Sequence, residues 1–201
     1  MKKQTPCINA DNPFSRLAES YLDYVRNTRR NEAVRLILDS SEQGVEVKDL
    51  YLHVFQPVQY EMGRLWQTNQ VSIAQERYCT AVTQLVMSYL YPKMMTLEKK
   101  GLTMVSCCVS GEFHELGIRM VTDFLEMNRW DTYYLGANTP DEEVVRTVKE
   151  QKAHLLAISA TMLSNRPRVK SIVKEVRQRP GLEDVKIIVG GHAFMLSLIH
   201  I

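Results

Sequence analysis

Between Pro13 and Pro92 the apolar residues recur at the three-and-four spacing of helices. Leu17, Tyr21, Leu22 and Val25 form one stripe, and Ala33, Leu36 and Ile37, continued by Ser40, form a second. Gly44 stands where a glycine C-cap would end that second helix. A third helix is predicted from Val47 to Trp66, with Pro57 inside it, so a kink or break is expected there. Thr68-Asn69-Gln70 reads as a turn, and a fourth helix is predicted from Ser72 to Tyr91. Four helices with short connections and no strand signal predict an antiparallel four-helix bundle over residues 13–92. Pro92 to Gly101 has no periodicity and reads as a linker between two domains.

The pattern changes over residues 101–201. Leu102 to Val109 is a short, β-rich apolar run, followed by a helical pattern from His114 to Asn128 with Leu116, Met120, Phe124 and Leu125 on one side. Strands at Thr132–Leu135, Leu155–Ser159 and Val185–Val189 alternate with helices at Pro140–Gln151 and Arg166–Gln178. Apolar strands alternating with helices predict an α/β domain: a parallel, Rossmann-like (flavodoxin-like) sheet with helices on both faces. Ligands of such sheets bind beyond the carboxyl ends of the strands.

Composition narrows the function classes. The chain has 201 residues with 25 Lys+Arg against 23 Asp+Glu, a net charge of +2 that gives nucleic acid no bulk-charge handle. No apolar run approaches the ~20 residues that span a bilayer, and no hydrophobic signal core follows Met1. A cytoplasmic protein without membrane or direct nucleic-acid partners is expected. The cysteines, Cys7, Cys79, Cys107 and Cys108, lack C-x-x-C spacing, and adjacent Cys107 and Cys108 would point to opposite faces of a strand. Small buried thiols are expected rather than a zinc knuckle or a disulfide framework.

Candidate chemistry gathers at the strand ends. The loops are Ser110-Gly-Glu-Phe-His-Glu-Leu-Gly117, Ser159-Ala-Thr-Met-Leu-Ser164 and Gly190-Gly-His-Ala-Phe194. None is a G-x-G-x-x-G string or a P-loop, so a dinucleotide or nucleoside triphosphate is poorly supported. His114 follows a carboxylate, Glu112, by two residues, and a metal-binding imidazole commonly gives its other N–H to such a group. Gly117 leaves room for a large ligand near the helix.

The string Glu112-x-His114-x-x-Gly117 resembles the D-x-H-x-x-G signature of cobalamin-binding domains, in an E-x-H form. Ser159-x-Thr161 and Gly190-Gly191 resemble the second and third signatures of that domain. Tyr134-Leu-Gly-Ala-Asn-Thr-Pro140 and the helical stretches Met62-Gly-Arg-Leu-Trp66 and Ala74-Gln-Glu-Arg-Tyr-Cys-Thr-Ala81 are similar to the CarH-type cobalamin photoreceptors. The resemblance spans about Ser15 to Phe194. It implies a helical cap over the upper corrin face and His114 as the axial ligand of cobalt. It also implies a slot for the nucleotide tail, lined by the Ser159 and Gly190-Gly191 loops, with Leu116 nearby. Trp66, Glu76 and Arg77 would surround the upper ligand, although Arg77 stands where the light sensors have His.

The expected cofactor is cobalamin, as adenosylcobalamin, methylcobalamin or hydroxocobalamin. The expected function is a sensor rather than an enzyme, responding to light through the cobalt–carbon bond. Its output would be a change of conformation or assembly, as a homo-oligomer or with a separate effector protein. The chain is expected to lack the DNA-binding domain of the full regulators. The alternative is a corrinoid carrier passing a methyl group between methyltransferases. After Phe194, a last strand, a natural end and a truncation are all open.

Overall fold

The computed structural model describes residues 7–95 and 98–195. It divides into two compact units that meet in sequence between Met94 and Met95.

The first unit is helical. It comprises α1 (Ser15–Arg26), α2 (Arg30–Glu42), α3 (Val47–Asp49), a π-helical stretch (Leu50–Phe55), α4 (Gln56–Gln67) and α5 (Ile73–Leu90). Helix α2 ends as its pattern predicts: Gly44 takes a φ of +97°, which a side chain would strain, and the Val45 N–H reaches the Ser40 carbonyl. Ser72 and Gln75 form a reciprocal capping box that starts α5. The predicted third helix is interrupted by a π-helical stretch that ends just before Gln56 and Pro57. Pro57 sits in the first turn of α4, which continues directly from that stretch. Leu50, Tyr51, Val54 and Phe55 are all buried along that stretch. The Phe55 ring lies 5.5 Å from Tyr21 and 5.6 Å from Tyr51.

The second unit is the predicted parallel sheet. It runs β1 (Thr103–Cys108), α6 (Leu116–Met127), β2 (Asp131–Tyr134), α7 (Asp141–Glu150), β3 (Leu155–Ser159), α8 (Arg166–Gln178), β4 (Lys186–Gly190) and α9 (His192–Met195). The strand order is β2-β1-β3-β4, every pair parallel, so the order reverses between β1 and β3. On one face Ile118, Val121 and Leu125 of α6 pack on Met104, Cys108 and Ala157. On the other, the valines of α7 and α8 pack on Val105, Cys107, Leu156 and Ile158. Cys107 and Cys108 therefore face opposite sides, both buried. Helix α6 begins at Leu116 rather than at the predicted His114, so the histidine stands on the loop that leads into it. Burial of α6 also exceeds the predicted stripe and takes in Thr122, Asp123 and Glu126. Residues 196–201, where a last strand was one reading, lie outside the described residues. Among the described residues, no helix is long and apolar enough to cross a membrane.

Candidate functional site

The carboxyl ends of β1 and β3 flank the point where strand order reverses, and one side chain bridges them there. Glu112 is fully buried, and its carboxylate accepts five hydrogen bonds. Oε1 takes the His114 backbone N–H at 3.1 Å and the His114 Nδ1 at 2.5 Å. Oε2 takes the Thr161 N–H at 2.8 Å, the Met162 N–H at 3.0 Å and the Asn165 Nδ2 at 3.0 Å. Burial alone would raise the Glu112 pKa. The donors from Met162, His114, Asn165 and Thr161 overcome it and hold the group down at about 2.

An ionised carboxylate can only accept, so Nδ1 of His114 carries the proton, which leaves Nε2 as the nitrogen that can offer a lone pair to a metal. The His114 side chain is 55% exposed while its carboxylate partner is wholly buried. The buried group thus fixes the tautomer of an exposed one. The loop from β2 to α7 braces the same segment: the Asn138 N–H donates to the Glu112 carbonyl and the Gly111 N–H to Asn138 Oδ1. The Tyr134 hydroxyl donates to Glu115 at 2.8 Å, beside His114.

Strand register places the other predicted residues. Cys108 pairs with Ser159 and Ser159 with Gly190, so the three form one row across the sheet on the α6 face. A Cβ at Gly190 would meet nothing within 4 Å, nor would one at Gly117 in the first turn of α6. Ile188, one step back from Gly190 on that face, is 45% exposed. An open track therefore follows β4, whereas Ala157 and Ser159 on the same face of β3 are buried. Gly191 has another role: its φ is +97°, and a Cβ there would lie 2.4 Å from the Ala160 carbonyl oxygen. That glycine lets the turn after β4 seat directly on the loop after β3. Leu116 is buried at the start of α6. Thr161 contributes its backbone N–H.

The helical unit carries the remaining three. Trp66 lies in the last turn of α4 and is exposed, Glu76 is half-buried in the first turn of α5, and Arg77 is exposed beside it. Sequence reasoning missed Asn165 and Met162, whose donors complete the Glu112 shell. It also missed the apolar rim of Phe113, Met162 and Leu163, each more than half exposed on the loops around His114.

The donor set is specific about the metal it suits. Among the described residues, no three His, Cys, Asp or Glu side chains gather to hold a bare ion. One tautomer-fixed imidazole offers a single coordination position, which fits a metal that brings its own equatorial ligands in a large apolar ring.

Two family models match, each described as a B12 binding domain, one over residues 17–91 and the other over residues 102–198. The chain carries a pair of B12-binding domains. Cobalamin is the cofactor such domains hold, and the open track and single imidazole suit it. The dimethylamine corrinoid protein of Methanosarcina barkeri is 29% identical over 135 residues, which is 67% of this chain and 61% of that protein. Dimethylamine corrinoid protein 3 of Methanosarcina mazei is 27% identical over 135 residues, 67% of this chain and 78% of that one. The B12-binding chain thus spans under two thirds of the first of these relatives. The structure of the Methanosarcina barkeri monomethylamine corrinoid protein superposes with a TM-score of 0.77 at 21% identity, covering 90% of this chain and 86% of that one, and so shares its fold.

Proposed function

We propose that this chain is a corrinoid carrier, which holds cobalamin and presents a methyl group to separate methyltransferases. The observation that carries the reading is the buried Glu112, whose five donors fix an exposed His114 at the topological switch point of the sheet. It is supported by relatives named as corrinoid proteins of methylamines. When bound, the corrinoid supplies a cobalt that can take and release a methyl group. His114 Nε2 would hold the metal, while Glu112 keeps the Nδ1 proton in place and raises the donor strength of the ring. The exposed apolar side chains of Phe113, Met162 and Leu163 would be covered by the corrin ring and would shield the imidazole from water once it is bound. Ser159 and Gly190 would hold the nucleotide tail, and the missing Cβ of Gly190 leaves open space for it there. The chain itself is not the enzyme, because breaking and making the methyl bond falls to its partners.

Light sensing has less support than the resemblance to photoreceptors implied. The relatives named above are dimethylamine and monomethylamine corrinoid proteins, and Arg77 supplies no imidazole for an upper ligand. The two functions separate in one experiment. Holoprotein loaded with a radiolabelled methyl group is incubated in the dark with a corrinoid-dependent methyltransferase and a thiol acceptor, and a parallel sample is illuminated and sized. A carrier passes label to the acceptor and keeps its size in light. A sensor retains the label and changes its assembly on illumination.

A further inference from the structure

Helix α8 begins with an arginine, which runs against the helix dipole, so its position needs another cause. Arg166 turns away from its own helix. Its guanidinium donates from Nε at 2.8 Å, and also from Nη2, to the carbonyl of Ala193 in α9. It lies 5.9 Å from the centre of the Phe194 ring. The acceptor is fully buried. On the other side of this turn, the Ala160 N–H donates to the Gly190 carbonyl at 3.0 Å and the Ala193 N–H reaches the Ala160 carbonyl at 3.3 Å. The Gly190-Gly191 turn is therefore pinned on one side by backbone and on the other by Arg166. The preceding residue, Asn165, is the side chain that donates to Glu112 from the start of this helix. Two consecutive side chains at the start of α8 thus tie the imidazole loop and the Gly190 turn to one helix end.

We propose that Arg166 is the positioning residue for the nucleotide tail of the corrinoid: it locks the Gly190-Gly191 turn and α9 so that the track beyond Ser159 stays open. This rests on the tail following the Ser159–Gly190 row. Without the guanidinium, the Ala193 carbonyl loses its charged donor and the turn is held by its backbone bonds to Ala160 alone. The imidazole loop keeps its own ties through Glu112, so capture of a corrin ring that lacks a tail is spared.

The test is a pair of spectral titrations, with cobalamin and with cobinamide, which has the same ring and no nucleotide. They are run on wild type, Arg166→Met and Arg166→Lys, with thermal unfolding of each apoprotein as the folding control. Wild type is expected to bind cobalamin more tightly than cobinamide. Arg166→Met should weaken cobalamin by about tenfold or more, the range for a lost hydrogen bond to a charged group, and cobinamide by less than about twofold. Arg166→Lys, which keeps one charged donor, should recover part of the loss and stands in if the Met variant fails to fold. Equal losses for the two ligands, or no loss for cobalamin, would overturn the proposal. Wild type binding both ligands equally would overturn it as well while leaving the carrier reading intact, whereas wild type binding neither would remove the carrier reading itself.

Discussion

Replacing Glu112 by Gln keeps the shape of the side chain and breaks the logic of the site. Five donors converge on the two oxygens, two on Oε1 and three on Oε2. A Gln amide has one oxygen, and its NH2 must face one of these sets. Turned toward Thr161, Met162 and Asn165, it leaves three donors opposed to a donor. Turned toward His114, it strands the backbone N–H and forces Nδ1 to accept, which moves the ring proton to Nε2 and removes the lone pair a metal needs. At about 1–3 kcal/mol for each buried group left unsatisfied, the apoprotein should lose about 2–4 kcal/mol near neutral pH. The loss should depend on pH in a defined direction. Glu112 has a folded pKa of about 2 against an ordinary 4.5, so its contribution is complete above the unfolded value and disappears as pH falls through the folded one. The full shift corresponds to about 3 kcal/mol, of which about 2 kcal/mol is gone by about pH 3. Urea unfolding of wild type and Glu112→Gln at neutral pH and near pH 3 measures this directly. The gap between the two proteins should narrow on acidification. A Gln variant as stable as wild type, or a gap that holds constant with pH, would refute the reasoning.

Gly191→Ala should destabilise the sheet unit by about 2 kcal/mol or more, since the added Cβ meets the Ala160 carbonyl at 2.4 Å on a positive-φ residue; faster amide exchange in β3 and β4 is the readout. Gly190→Val has open space in the apoprotein and should leave thermal stability nearly unchanged, while weakening cobalamin much more than cobinamide. Burial pushes the thiols of Cys79, Cys107 and Cys108 up to about 12, so under native conditions a disulfide reagent at mildly alkaline pH should titrate only exposed Cys7, and all of them after unfolding. Ser72→Ala should cost about 1 kcal/mol by removing one arm of the capping box, read as a lower midpoint in thermal unfolding.

The regular elements were legible where local pattern and tertiary packing agree. The Leu155–Ser159 strand and the Arg166–Gln178 helix appear at the residues that their periodicity marks, because each buries one clean face or a continuous apolar run. The π-helical stretch was not legible. Its buried residues, Leu50, Tyr51, Val54 and Phe55, have the three-and-four spacing of an ordinary α-helix, so the pattern gives no sign of the wider turn. His114 and Glu112 stood out as a pair because they are two residues apart. The rest of the Glu112 shell did not, since Asn165 is 53 positions away. Asn165 precedes α8, but its side chain makes no cap bond and donates to Glu112 instead. The one local sign of the Arg166 clamp was a cation at a helix start, where it is disfavoured.

The central claim is that His114 supplies the lower ligand of cobalt, and one measurement addresses it without a partner protein. Cobalamin reduced to the paramagnetic cob(II)alamin state is bound to protein whose histidines carry nitrogen-15, and its electron paramagnetic resonance spectrum is compared with that of unlabelled protein. If an imidazole is bound, the nitrogen splitting changes from a triplet to a doublet on labelling, and the labelled doublet is lost in His114→Ala. A triplet that survives in labelled protein would mean that the nucleotide base still holds the metal, and would contradict the account; so would a doublet that survives in His114→Ala.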